Sequence, residues 1–131
     1  MPASAPQSQP QAQALAPSLP KPSFDEVIQG QSTSGSWDHS QAKVLVRCIV
    51  GYDTEDAAVR EALAQMLPSL DAATLRNAYL TLLALFILEE AYADYEDEWE
   101  LIARKARTFL QGLGVQKPNT LIKKFTLTVI N

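Results

Sequence analysis

The sequence has few of the residues that most often carry out chemistry in small proteins. It contains one cysteine, Cys48, and one histidine, His39. One cysteine excludes an intrachain disulfide, and one histidine without a second ligand at suitable spacing does not make a metal site. His39 also falls on a different face of the predicted helix from Cys48, so it does not serve that thiol as a base. With no phosphate-binding glycine loop and no nucleophile elbow, the chain is predicted to be no enzyme and to bind no cofactor.

The sequence is also short of positive charge. Its 11 lysine and arginine residues are outnumbered by 15 aspartate and glutamate residues, which gives a net charge of −4 at pH 7. Nucleic acids and anionic membrane surfaces attract basic proteins, so neither is expected as a partner.

Long apolar segments are missing as well. The longest apolar run, residues 79–88, spans ten residues, whereas a transmembrane helix needs about 20. The first residues have neither the basic start nor the apolar middle of a secretory signal peptide. These absences predict a protein that crosses no membrane and lies in the cytoplasm.

Proline, glutamine, serine and alanine dominate the first part of the chain. Six of the eight prolines lie among the first 22 residues. Proline removes backbone donors and disfavours helix at the preceding residue, and the short polar side chains between the prolines offer little surface to bury. Residues 1–23 are therefore predicted to be a disordered linker, and residues 24–131 a helical domain.

Apolar residues after the linker recur with a period of about 3.6, which predicts helices. The predicted helices cover residues 24–28, 39–50, a stretch from Asp53 or Thr54 to Pro68, residues 72–92, and a stretch through Trp99 that ends at Gly112 and Gly114. Residues 125–130 are rich in β-branched side chains and fit either a helix or an extended segment. The predicted fold is all-α, a small bundle of four to five helices.

The two long helices are expected to form the core. Residues 75–88 are apolar on nearly every side, and a helix of that kind is central in its fold. The residues expected to be most important for packing or for the motifs below are Trp37, Leu82, Phe86, Trp99, Lys105, Ala106 and Phe109. The inward faces of the shorter helices are predicted to be Leu45, Cys48 and Ile49 in one, and Val59, Leu63, Met66 and Leu67 in the other.

An acidic segment joins the two long helices, with a turn predicted near Asp94. Its carboxylates resemble the start of an EF-hand loop, but Trp99 and Lys105 occupy the positions that need glycine and a bidentate acid, so no calcium site is predicted. The segment fits either a solvated acidic face, which complements the N-terminus of the next helix, or a surface for a basic partner. We name the candidate partner-binding residues the acidic elbow: Glu89, Glu90, Tyr92, Asp94, Tyr95 and Glu96.

Two tyrosines of the acidic elbow bear on this choice. Tyrosine beside charge is a common composition at interfaces, so Tyr92 and Tyr95 are predicted to be exposed on the surface. The rival interpretation packs both of them inward.

Two stretches resemble sequences of a known family. The first is Gly35-Ser36-Trp37, preceded by Val27, Ile28 and Gln31. The second is Leu82-Leu83-Ala84-Leu85-Phe86-Ile87-Leu88-Glu89, followed by Glu98-Trp99-Glu100-Leu101 with Arg104-Lys105-Ala106 and Phe109-Leu110. Both are similar to the C-terminal region of proteins that carry inter-α-trypsin-inhibitor-type (VIT) and von Willebrand factor A domains, a group that includes vault poly(ADP-ribose) polymerase. The chain departs from the family at Phe109, where tryptophan is usual.

The resemblance implies a non-catalytic helical tail behind larger domains. In vault poly(ADP-ribose) polymerase such a tail binds the major vault protein, so the resemblance implies a protein partner with that chemistry. The VIT, A and polymerase domains are not among these residues, and their activities do not carry over. We therefore expect a protein-interaction module that docks its parent chain on the vault particle or a similar large assembly. The alternative is a structural C-terminal domain that packs on its own parent chain or self-associates.

Overall fold

The predicted all-α fold is confirmed. In the computed structural model, which describes residues 22–50 and 56–130, the α-helices are α1 (Phe24–Ile28), α2 (Ala42–Val46), α3 (Ala57–Met66), α4 (Ala72–Ala91), α5 (Glu96–Leu113) and α6 (Pro118–Ile122). Short 3₁₀ turns cover His39–Gln41 and Ala93–Tyr95. Most of the predicted linker, residues 1–21, lies outside the described residues.

Helix α4 is the centre of the fold. Every residue from 78 to 88 is buried, and helices α2, α3, α5 and α6 all contact α4. Among the described residues α4 is the one helix with the length and apolar composition of a membrane-spanning helix. A core helix needs the same composition, and the neighbouring helices that cover α4 account for it.

The ends of the two long helices follow the sequence closely. Asp71 caps α4 by accepting a hydrogen bond from the Thr74 amide, and α4 ends at Ala91, one residue before the predicted end. The turn predicted near Asp94 is the 3₁₀ turn Ala93–Tyr95. Helix α5 ends ahead of Gly114, which takes the left-handed conformation expected of a terminating glycine (φ 118°).

The helix predicted over residues 39–50 is shorter in the structure. After a 3₁₀ turn, α2 covers only Ala42–Val46, although Leu45, Cys48 and Ile49 are buried as predicted. The chain leaves the helix because its backbone pairs with the terminal segment: the Val50 amide donates to the Thr128 carbonyl and the Ile130 amide to the Cys48 carbonyl, both at 2.8 Å. Residues 125–130 are therefore not helical.

Helix α3 begins later than predicted, at Ala57, and its cap is Asp56. The two predicted caps, at positions 53 and 54, lie outside the described residues. The Asp56 carboxylate is buried, but it accepts hydrogen bonds from the Val59 amide and from the amide and hydroxyl of Thr126. The partners offset the cost of burying a charge. They also connect α3 to the terminal segment.

Met66 does not face the core, contrary to the prediction. It is the last residue of α3 and its side chain is 46% exposed. Leu67, the residue that follows the helix with non-helical backbone angles (φ −127°, ψ 62°), is buried as predicted. Of the four side chains predicted for this face, Met66 is the one that lies outside the core.

Residues 29–37 form a loop that is packed against α4 and α5. The Trp37 side chain is fully buried, its indole N–H donates to the Val27 carbonyl at 2.9 Å, and its amide donates to the Thr81 hydroxyl at 3.0 Å. The Gln31 amide group donates to the carbonyl of Ile102 in α5 at 2.8 Å. The two stretches that carry the family resemblance are thus in direct contact.

Gly35 is where the loop comes closest to α5. Its φ is +101°, and a Cβ added there would lie 2.6 Å from the Lys105 carbonyl oxygen. A side chain is excluded on both grounds, because L-residues rarely adopt this conformation and the neighbouring atom is backbone.

Replacing Leu82 by aspartate is expected to unfold the protein. The change removes about 1.5–3 kcal/mol of apolar burial and buries a carboxylate without a partner, against a total stability of about 5–15 kcal/mol. Circular dichroism should show no cooperative thermal transition. Leu101→Asp is the matched control, because Leu101 is 70% exposed, and its transition should persist. A folded Leu82→Asp protein would contradict the central position of α4.

Gly35→Ala is expected to destabilise the fold by about 1–3 kcal/mol through strain at positive φ, with a further cost from the contact at Lys105. Gly112→Ala is the matched control, because an added Cβ there meets nothing within 4 Å and Gly112 lies inside α5, where alanine is favoured over glycine by up to about 1 kcal/mol. The two variants should shift the urea midpoint in opposite directions. Equal shifts would argue against the close approach of loop and helix.

Candidate functional site

The acidic elbow lies where α4 ends and α5 begins. Glu89 and Glu90 are in the last turn of α4, Asp94 and Tyr95 are in the 3₁₀ turn, and Glu96 is the first residue of α5. The side chains of Glu90, Asp94 and Glu96 are exposed. Carboxylates at this end of α5 also complement the helix dipole, so part of the acidity has a structural use.

Tyr92 is not on the surface, contrary to the prediction. It is 5% exposed, its hydroxyl donates to the Pro22 carbonyl at 2.9 Å, and its ring lies 5.4 Å from that of Phe24. Burial raises the pKa of Tyr92 to about 12. Tyr92 therefore joins the start of the domain to the end of α4. Pro22 and Ser23 were predicted to belong to the linker, but Pro22 bonds to Tyr92 and Ser23 caps α1.

Tyr95 does lie on the surface, with its side chain 47% exposed. One part of its ring packs on Phe24, with the ring centroids 5.3 Å apart, and on Tyr92 at 6.3 Å. The interior contacts fix the position of the ring, and the remainder faces solvent. A tyrosine held in this way loses little side-chain freedom when a partner binds.

Glu89 differs from the other acids of the elbow because it is half-buried and paired. Its carboxylate lies 3.4 Å from the Arg107 guanidinium of α5. Burial raises the pKa of Glu89, and the opposing effect of Arg107 is smaller. Glu89 therefore contributes to the packing of α4 on α5 rather than to an open acidic surface.

Trp99 fixes the shape of the elbow from within. Its side chain is buried, and its indole N–H donates to the Tyr92 carbonyl at 2.7 Å. This bond satisfies a carbonyl at the end of α4, which the helix itself leaves without a partner. The bend between α4 and α5 is thereby held by a side chain of α5.

The other core and motif residues are placed largely as predicted. Trp37, Leu82, Phe86 and Ala106 are buried. Phe109 is half-buried and packs against the core cluster. Lys105 is exposed, as its place on the charged side of α5 predicts.

The described residues contain no group of three or more histidine, cysteine, aspartate or glutamate side chains that could hold a metal ion. Cys48 is fully buried among apolar side chains, a setting that suits a small hydrophobe rather than a nucleophile. These observations leave the exposed surface around Tyr95 as the candidate site.

Sequence reasoning missed a second surface feature, a groove between α3 and α6. It was missed because Met66, which lines the groove, was predicted to face the core. One available signal was charge: residues 101–131 contain six lysine or arginine residues and no aspartate or glutamate.

The pKa of Glu89 makes a pH dependence testable. Because its pKa is raised in the folded state above its usual value of 4.5, the folded protein binds this proton more tightly than the unfolded chain does. The stability that this difference contributes is complete below pH 4.5 and is lost as the pH rises through the raised pKa. The free energy of unfolding of the wild type, minus that of Glu89→Gln, should therefore fall as the pH rises from acidic to neutral.

Urea titrations at a series of pH values would measure this difference. Arg107→Gln removes the cation that opposes the rise in pKa, so the fall should be steeper in that background. A difference that grows with pH would mean that the attraction of Arg107 outweighs the cost of burial.

The comparisons with known proteins found no relative of this chain. The family resemblance therefore rests on the residues of the two stretches alone. These stretches contact each other through Gln31 and Ile102. No family model, no curated protein and no solved structure matches this chain.

Proposed function

We propose that this helical domain is a non-catalytic protein-interaction module whose exposed acidic elbow binds a basic surface of a protein partner. The observation that carries the proposal is the position of Tyr95, an aromatic side chain 47% exposed among the exposed carboxylates of Glu90, Asp94 and Glu96. Aromatic residues are enriched in interfaces, and charge around them steers encounter with a partner of opposite sign.

The rigidity of the elbow supports the same proposal. Tyr95 packs on Phe24 and Tyr92, and Trp99 holds the backbone of Tyr92. A surface fixed before binding avoids the cost of ordering its side chains, which is about 0.5–1.5 kcal/mol for each flexible one. Tyr92 is buried, and its ring packs against that of Tyr95 from the core side.

The first candidate partner is the major vault protein, with the domain docking its parent chain on the vault particle or a similar large assembly. This part of the proposal rests on the family resemblance. The contacts of Gln31 with Ile102 and of Gly35 with Lys105 support treating the two resembling stretches as one packing unit.

The alternative is a structural domain that packs on its own parent chain or self-associates. Two exposed aliphatic side chains favour it: Leu101 is 70% exposed in the middle of α5, and Val50 is 56% exposed. Neither lies in the acidic elbow, so the two functions can be separated by mutation.

Reversing two charges of the elbow, in Glu90→Lys/Glu96→Lys, is expected to weaken binding to purified major vault protein by about tenfold, because each reversal replaces an attraction of up to about 1 kcal/mol with a repulsion. Biolayer interferometry with the full chain would measure the affinity. The control is Glu61→Lys, which makes the same change in net charge as either single reversal at an exposed position of α3, and its affinity should stay within about twofold of the wild type.

Three outcomes count against parts of the proposal. If the wild-type chain does not bind major vault protein, the vault assignment is wrong. If a pull-down from cell lysate also recovers no stoichiometric partner, the interaction function fails. If light scattering shows an oligomer that Leu101→Asp dissociates, the alternative function is favoured.

A further inference from the structure

Charge is divided between the two ends of α5. Residues 77–100 contain seven aspartate or glutamate residues and no lysine or arginine, whereas residues 101–131 contain six lysine or arginine residues and no acid. The 18 residues of α5 span about 27 Å at 1.5 Å per residue. Three of the six basic residues follow α5, on the α6 side of the molecule, where Arg107 bonds to Asn119.

A groove lies at this basic end, between α3 and α6. Its volume is 570 Å³, and its apolar lining includes Ala62 and Met66 from α3 and Leu121 from α6. Lys117, the residue before α6, and Lys124, two residues after its end, also line the groove. A volume of this size falls within the range of about 300–1,000 Å³ that is usual for ligand clefts.

The cations of this groove are not paired with any acid in the described part of the chain. The side chains of Lys117 and Lys124 are exposed. The groove lining contains no aspartate or glutamate. Its electrostatic field is therefore positive, although the chain as a whole is negative.

The exposed side chain of Met66 in the groove favours contact with an apolar group of a ligand. Its side chain is 46% exposed where the next residue, Leu67, is buried. Methionine has three rotatable bonds and a polarisable sulfur, so it adapts to the shape of what it contacts, and it is common on peptide-binding surfaces.

We infer that the α3–α6 groove binds an acidic, amphipathic segment of a partner protein, with an apolar side chain on Met66 and Ala62 and carboxylates on Lys117 and Lys124. The pattern matches the helix-in-groove mode of recognition, in which an apolar stripe enters the groove and charged residues flank it. This surface is separate from the acidic elbow and selects a partner of opposite charge.

Another groove, between α3 and α4, specifies a partner less clearly. It has a volume of 660 Å³, and its lining includes Arg60, Glu61 and Arg76. Glu61 opposes the two arginines there, so a carboxylate of a ligand would be repelled by an acid that the α3–α6 groove lining does not contain.

The inference can be tested with the full chain and a defined probe. The probe is a labelled synthetic helix of about 16 residues with leucine at every third or fourth position and glutamate beside each leucine, and its comparison has glutamine in place of every glutamate. Fluorescence anisotropy should show that the acidic helix binds at least tenfold more tightly than the glutamine helix at low salt, and that the difference shrinks as salt is added.

Variants of the chain identify the groove as the site. Lys117→Glu/Lys124→Glu is expected to weaken binding of the acidic helix by about tenfold or more. The control Lys43→Glu/Arg104→Glu makes the same change in net charge at exposed positions outside the groove lining, and its effect should stay within about twofold. Met66→Gln should weaken binding by about threefold, because it removes apolar contact, with an unchanged circular dichroism spectrum.

Two results would overturn the inference. The first is equal binding of the acidic and glutamine helices, or binding that Lys117→Glu/Lys124→Glu leaves unchanged. The second is a concentration-dependent oligomer that is lost both in Lys117→Glu/Lys124→Glu and in Glu90→Lys/Glu96→Lys, because the occupant of the groove would then be the acidic elbow of a second copy. Failure of the acidic elbow to bind a partner leaves this test unaffected.

Discussion

Helix α4 is buried on every side from residue 78 to residue 88. The rest of the structure depends on the need to cover this helix completely. A helix without a polar face must be covered completely, and the shorter elements do so: α2, α3, α5 and α6 contact α4, and the loop at residues 29–37 covers what remains through Trp37. The buried Thr81 hydroxyl donates to the Asn77 carbonyl and accepts from the Trp37 amide. The loop is thereby fixed to α4 by a buried hydroxyl, and the other hydroxyl of this stretch, that of Tyr79, accepts a hydrogen bond from the Asp56 amide.

The acidic elbow and the α3–α6 groove occupy opposite ends of α5. Acids in the first turn of α5 agree with the helix dipole, so these charges stabilise α5 as well as giving the elbow its sign. The partners proposed for the elbow and for the groove therefore carry opposite charge. The elbow owes its shape to Trp99 and Tyr92, whereas the groove owes its apolar lining to Met66, which the core leaves outside.

Periodicity predicted α4 and α5 well because both are long and because their faces are set by the helical repeat alone. It failed where contacts distant in sequence decide the outcome. Tyr92 follows the last residue of α4, and its hydroxyl bonds to Pro22, 70 positions earlier; no local pattern encodes that contact. Residues 47–50 leave the helix to pair with residues 128–130. In the candidate site, exposure of Glu90, Asp94 and Tyr95 was predictable from their polarity and from the lapse in the apolar pattern, but the burial of Tyr92 was not.

The contacts that close this fold have a consequence for how it forms. Gln31 bonds to Ile102 across 71 positions and Asp56 to Thr126 across 70, so elements near the start of the domain complete their packing against elements near its end. Bundles whose helices contact mainly their sequence neighbours fold quickly, because little chain entropy is lost before contacts form. Here the loop lacks one of its partners until α5 is in place, and α3 lacks one until the terminal segment is in place. The domain is thus expected to order its two ends together, in one cooperative step, and a ribosome-bound chain that stops before Ile102 would still lack the carbonyl to which Gln31 bonds.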